Sequence, residues 1–181
     1  MTLSETAKTL RIPLGFILGI VYLALARPTA GSLLLGGSVA LVGVLVRAWA
    51  SGHITKNEKL ATSGPYAHTR NPLYFGSFLI AAGFAVAEHW GLLVAVVAFF
   101  LIIYYPTMRR EIVNISERFP ETYRRYAVHV PLFFPRPLPW CGDAASTNRF
   151  EPALYMKHGE WKAGLTYVLA MIWLAFRTLR T

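Results

Sequence analysis

Residues 72–105 read PLYFGSFLIAAGFAVAEHWGLLVAVVAFFLIIYY, and their reading decides the fold class. Two apolar runs, Pro72 to Ala87 and Trp90 to Tyr105, are parted only by Glu88-His89. A hairpin of apolar runs with neither Lys nor Arg at its tip reads as two membrane helices joined on the outer side. Three more apolar segments flank it: Ile12 to Ala26, Leu33 to Ala50, and Ala163 to Phe176. Several fall short of the ~20 residues that cross a bilayer upright. Flanking Trp, Tyr, Lys and Arg at the interfaces make up part of the difference. The first segment, with its charged start and Ala24-Leu25-Ala26, also has the form of a secretory signal; it is read here as a retained span.

Composition agrees with lipid as part of the solvent. Of 181 residues 55% are apolar and 15% charged, against about 25% charged in a soluble domain. The net charge of +9 raises the question of nucleic acid, but the basic residues sit between apolar runs without a zinc-finger or ribonucleoprotein motif, which argues against it. Cys141 is the single cysteine, so neither an intrachain disulfide nor a cysteine metal cluster is available. No pair among His53, His68, His89, His129 and His158 has helical ligand spacing, and no structural metal is expected.

The Lys/Arg distribution gives the orientation. With the N-terminus inside, Lys8, Arg11, Lys56, Lys59, Arg70 and the basic residues from Arg109 to Lys162 are cytoplasmic, while Arg27, Arg177 and Arg180 fall outside. Arg47 lies near the end of its span and can snorkel inward. The two terminal arginines count against a full fifth crossing, so that segment is either interfacial or returns inside. The expected architecture is an all-α polytopic membrane bundle of about five segments. Two cytoplasmic pieces, Ser51 to Asn71 and Pro106 to Lys162, would carry any chemistry. A core over 1–137, with motif helices at 106–130, precedes an extension over 138–181. Pro135 to Ser146 reads as a Pro-rich extended linker between the two.

Two constellations carry chemistry. The first runs from Ser63 to Gly76: Gly64-Pro65 makes a turn, and Asn71-Pro72 starts a helix with Asn71 as N-cap. Tyr66, Arg70 and Tyr74 then cluster where the third span enters the membrane. All of this also serves a well-capped, interface-anchored helix. The second comprises Arg109-Arg110-Glu111, Phe119 to Tyr126 (FPETYRRY) and Val130-Pro131. Met108, Ile112, Ile115 and Phe119 form an amphipathic stripe. Glu111 borders that stripe, where a carboxylate must find a partner or face a cavity. The alternative is a surface helix on anionic headgroups with Glu111 paired to a neighbouring arginine.

Together the constellations resemble the isoprenylcysteine carboxyl methyltransferases and the related phospholipid methyltransferases. That pattern has Gly-x-Tyr, then Arg-His-Pro-x-Tyr-x-Gly opening a span. After a hairpin come Glu-Glu-x-x-Leu-x-x-x-Phe-Gly-x-x-Tyr-x-x-Tyr and a closing Pro. Gly64, Tyr66, Arg70, Pro72, Tyr74, Gly76, Glu111, Phe119, Tyr123, Tyr126 and Pro131 fall at matching spacings, and the likeness covers roughly Leu33 to Arg136. Asn71 replaces the motif histidine, Ile112 the second glutamate, Pro120 the glycine, and Met108 an arginine often seen before the glutamates.

The resemblance implies S-adenosylmethionine as cofactor, bound where the third and fourth spans end. Leu60, Ala61, Tyr66, Arg70, Asn71, Pro72, Leu73 and Tyr74 would line its site, and Glu111 would complete it. Aromatic faces and carboxylates suit a sulfonium, and an acceptor such as Glu111 suits the ribose hydroxyls and the α-amine. Missing Gly-x-Gly-x-x-Gly agrees with a site built on spans. Arg109, Arg110 and Glu111 are the candidate catalytic residues. Arg110, Tyr123, Tyr126 and His129 are the candidates for the acceptor, a membrane lipid or lipidated substrate in a bilayer with anionic inner-leaflet headgroups. A carboxylate acceptor needs only a positive neighbour, whereas an amine must lose a proton to Glu111, His129 or water. Two other readings remain. One is a nicotinamide-dependent membrane reductase of the steroid-reductase kind, using Lys56, Lys59, Arg109 and Arg110 for phosphates. The other is a non-catalytic membrane scaffold.

Overall fold

The structure, a computed structural model, describes residues 3–54, 59–142 and 149–180, with side chains from Pro13 onward. Lys56, the 143–146 end of the Pro-rich stretch, Asn148, and the side chains of Lys8, Arg11 and Ile12 lie outside the described residues. The fold is all-α. Helices α1 (Leu3–Leu25), α2 (Ala30–Ser51) and α3 (Pro72–Glu88) are followed by α4 (Leu92–Phe99) and α5 (Tyr105–Arg118), with a π-helical turn at Phe100–Tyr104. Helices α6 (Pro120–His129), α7 (Pro152–His158) and α8 (Trp161–Thr178) complete the order.

Helix α2 and the continuous helix 92–118 are each long and apolar enough to cross a bilayer; Pro13–Leu25 and Pro72–Glu88 are shorter apolar helices. The periphery fits lipid better than water. Phe16, Val94, Ile102 and Ile172 are each more than 60% exposed, and water does not tolerate so much contiguous apolar surface.

Two expectations gain detail. The span expected to end at Tyr105 and the motif helix expected from 106 join in one helical run from Leu92 to Arg118. The π turn lets them do so despite Pro106. The Tyr105 N–H reaches back to Phe100 O, and this wider turn accommodates a residue that has no N–H and crowds the preceding turn. Likewise Asn71 holds the N-cap position of α3 without capping it through its side chain. Its Nδ2 donates instead to Leu132 O at 3.0 Å, which ties the start of α3 to the segment after α6.

The α2–α3 pair is the centre of the bundle, and its closeness comes from glycine. Gly36 meets Gly83, and two turns further along Gly43 meets Gly76. A methyl group at any of them would overlap the facing backbone or Arg47. Without a hydrophobic drive between helices in lipid, such close backbone approach is the main source of adhesion. At one end of the pair the turns α1–α2 and α3–α4 meet. The Arg27 N–H donates to Glu88 Oε2 at 2.5 Å and Ser32 Oγ to Ala87 O at 2.6 Å. Helix α8 lies antiparallel to α2. Tyr167 donates to Gly37 O and Thr178 to Pro28 O, both at 3.1 Å. Trp173 and Arg177 supply donors to the end of α1, at Leu23 O.

The opposite end gathers the loops. Segment 130–142 carries no helix, yet it is bonded along its length: Arg70 N to Pro131 O, Arg136 N to His68 O and Trp140 N to Ala67 O. Phe133 inserts among Phe75, Phe78 and Phe100, so this stretch reaches down to the level of the spans.

Candidate active site

Gly64 opens the site. Its φ of +57° is open to glycine at no cost, and a Cβ there would run into the His53 ring. The turn it makes drops Tyr66 into the bundle, where the ring packs with Ala50 and Ala61 and against Ile54 and Leu73. Tyr66 is 6% exposed and its hydroxyl has no hydrogen-bond partner among the described residues. A buried hydroxyl left so costs about 1–3 kcal/mol, and such an exception calls for an explanation. Burial first, then the negative charge of Glu160, holds the Tyr66 phenol well above its usual range; Arg47 opposes the rise and Glu111 adds to it. The charges of Glu160, Arg47 and Glu111 thus act on this phenol.

Those charges are themselves well held. The Tyr74 hydroxyl donates to Glu111 Oε1 at 2.8 Å, with the Tyr104 ring edge-on to Tyr74 at 5.5 Å. Glu111 thus has a phenol from α3 as a partner. On the other side Arg47 does not snorkel. Its fork grips Glu160, Nε to Oε2 at 3.0 Å and Nη2 to Oε1 at 2.7 Å. Its Nη1 donates to Ser77 Oγ at 2.5 Å and to Leu73 O at 3.3 Å. A carboxylate within reach at the site makes extension toward the interface unnecessary.

Helix α6 supports this group from outside. Tyr126, 2% exposed, donates to Tyr66 O at 2.7 Å. Its phenol too is pushed up, by burial and then by Tyr66, against the pull of Arg70. Arg70 Nη1 donates to the Tyr123 hydroxyl at 2.8 Å while Arg70 Nε is buried without a partner among the described residues. Tyr123, Tyr126 and Val130 pack together, with Leu60, Ile112 and Trp140 against them. Position 112 therefore faces an aromatic cluster, which explains an isoleucine there: a carboxylate would be buried among rings.

The structure thus packs Ala61, Tyr66 and Leu73 together, bonds Tyr74 to Glu111, and backs Tyr66 with Tyr126, which packs with Tyr123, the partner of Arg70. Pro72 is buried in the first turn of α3, and Leu60 sides with the α6 cluster. Arg109 and Arg110 are exposed, and His129 is exposed and stacked on Trp140, its Nδ1 directed to Arg125 O at 2.9 Å. The sequence reading missed Ser77 and Glu160 and misjudged Arg47. An arginine inside an apolar span needs a counter-ion, and that was the available signal.

Comparison with known proteins bears on what such a site is for. The family described as phospholipid methyltransferase matches residues 31–121, half of the chain. The chain belongs to the phospholipid methyltransferase family. Within the match lie Arg47, Tyr66, Tyr74 and Glu111; Tyr123, Tyr126 and Glu160 lie beyond it. The chain is 36% identical over 117 residues to the cobalt-zinc-cadmium resistance protein CzcN of Cupriavidus metallidurans, covering 63% of this chain and 52% of that protein. It is also 36% identical over 106 residues to the nickel-cobalt-cadmium resistance protein NccN of Alcaligenes xylosoxydans xylosoxydans, covering 57% and 48%. The chain spans about half the length of these curated relatives. No solved structure matches it.

Proposed function

We propose that the chain transfers a methyl group from S-adenosylmethionine to a lipid or lipid-modified acceptor at the cytoplasmic face of a multi-pass membrane bundle. The observation that carries this reading is the Tyr66 hydroxyl, buried and without a partner among the described residues, in a cluster whose Leu73 is bonded to Arg47 of the Arg47–Glu160 pair and adjoins Tyr74 of the Tyr74–Glu111 pair. The residues present fit the cofactor. A donor or acceptor on it would satisfy the Tyr66 hydroxyl, Glu111 offers lone pairs to hydroxyl or ammonium protons, and the Tyr66, Tyr74 and Tyr104 rings suit a sulfonium.

When bound, S-adenosylmethionine supplies an activated methyl group whose bonding pair stays on sulfur as the acceptor's lone pair forms the new bond. The chain's own work is positioning. Ala61, Tyr66 and Leu73 exclude water from one side, and Glu111 is aimed by Tyr74. A carboxylate acceptor would give up no proton. An amine acceptor would pass one to Glu111 or to water. The basic α5–α6 surface, with Arg109, Arg110, Arg124 and Arg125, supports an anionic inner leaflet beside the site. A site set among membrane helices suits an acceptor that arrives sideways from the bilayer.

The test is labelled-methyl transfer from S-adenosylmethionine by the purified protein into fractionated native lipids and membrane proteins. Label in the lipid or lipidated-protein fraction is the expected result. Transfer to soluble acceptors alone would refute the lipid assignment. Binding of a nicotinamide dinucleotide in detergent, with none of S-adenosylhomocysteine, would replace the methyltransferase reading by the reductase one.

A further inference from the structure

Glu160 lies outside the family-matched residues, in the C-terminal extension, one residue before α8. It is nevertheless brought to the Tyr66 site. Arg47, which grips both its oxygens, also donates to Leu73 O, and the Leu73 side chain packs on the Tyr66 cluster. The Glu160 side chain is 14% exposed. The surrounding backbone is fastened as well. Glu151 N donates to Gly52 O at 2.9 Å, and His158 Nδ1 to Ser51 O at 3.1 Å, so the extension is anchored on the end of α2.

We propose that Glu160 is a second carboxylate of the methyl-donor site, binding the ammonium group of the donor's amino-acid portion, with Arg47 as the residue that positions it. This rests on the methyltransferase reading above. The Arg47 fork occupies one lone pair on each Glu160 oxygen and leaves others to accept from an ammonium. The Tyr66 hydroxyl, nine-tenths buried and without a partner among the described residues, marks where a polar ligand group belongs. Paired to Arg47 alone, Glu160 is neutralised. With an ammonium added, the row Arg47–Glu160–ammonium alternates in sign, an arrangement that low dielectric strengthens.

Calorimetry in detergent with two probes tests this: S-adenosylhomocysteine, which carries the ammonium, and 5′-methylthioadenosine, which lacks the amino-acid portion. Glu160→Gln should weaken S-adenosylhomocysteine about 10- to 100-fold, the scale of a hydrogen bond to a charged group, and leave methylthioadenosine within about twofold. Arg47→Met with Glu160→Leu replaces the ion pair by apolar side chains, a change that folds tolerate. That double variant should bind methylthioadenosine and remain weak for S-adenosylhomocysteine. Should Glu160→Gln fail to fold, the double variant carries the test by itself. Unchanged S-adenosylhomocysteine binding in Glu160→Gln, equal weakening of both probes, or full recovery in the double variant would overturn the proposal and leave the methyltransferase reading standing. A parent protein that binds neither probe would remove both.

Discussion

The Tyr74 hydroxyl donates to the Glu111 carboxylate at 2.8 Å, joining α3 to α5 at the end of the bundle opposite their connecting hairpin. The hairpin fixes only that the two helices are neighbours. This bond fixes the rotation of the long helix 92–118 about its axis, and so which of its residues face the site.

Removing either partner should separate positioning from charge. Tyr74→Phe is expected to weaken S-adenosylhomocysteine about 3- to 10-fold, the effect of losing an orienting hydrogen bond. Glu111→Gln keeps an acceptor oxygen but loses the charge, and a loss nearer ~100-fold is expected. Titration calorimetry measures both, with thermal unfolding as the fold check. A Glu111→Gln protein that binds as the parent does would favour the scaffold reading.

Tyr66→Phe should have opposite effects on stability and binding. It deletes a buried hydroxyl that lacks a partner among the described residues, so the cofactor-free protein is expected to be as stable as the parent, or up to about 1–3 kcal/mol more. S-adenosylhomocysteine affinity should drop. Chemical denaturation with and without the ligand reads both; a loss of stability without ligand would show that the hydroxyl is structural.

Tyr126→Phe should be plainly destabilising. It removes the donor to Tyr66 O at 2.7 Å in a buried setting, leaving a carbonyl unsatisfied at a cost of about 1–3 kcal/mol. The expected readout is a lower unfolding midpoint.

The same two tyrosines set an alkaline limit. Burial raises both phenols above their usual range, so the native state holds their protons more tightly than the unfolded chain, in which tyrosine titrates near ~10. A raised native pKa contributes stability that is complete below ~10 and is lost as pH rises beyond it. The unfolding midpoint should be flat with respect to these groups from neutral pH to about 9.5 and fall above about 10. Tyr66→Phe and Tyr126→Phe should each flatten that fall, and an unchanged slope in both would contradict the burial seen here.

Glycine substitutions should differ in sign with place. Gly43→Ala and Gly83→Ala press a methyl into the facing helix backbone, with an expected loss of about 1–3 kcal/mol. A methyl at position 15 would meet nothing within 4 Å, so Gly15→Ala should gain about 0.5–1 kcal/mol from backbone entropy. Equal effects at all three, read from unfolding midpoints, would show that α2 and α3 are not held at backbone contact.

The helical, lipid-solvated class and the motif residues were legible before any folding, because apolar run length and the Gly64-to-Gly76 spacing are local properties. Resemblance marked Tyr66, Tyr74 and Glu111 as one site. Nothing local could show that Ile112 fits because its position faces Tyr123 and Tyr126, nor that Arg109, Arg110 and His129 are exposed. Those outcomes depend on the rotation of α5 and α6. Least legible was the Arg47–Glu160 pair, whose members stand 113 residues apart. Only the antiparallel seating of α8 on α2 brings them together, and the reason is physical: a guanidinium inside an apolar helix takes whichever carboxylate the tertiary fold carries to it.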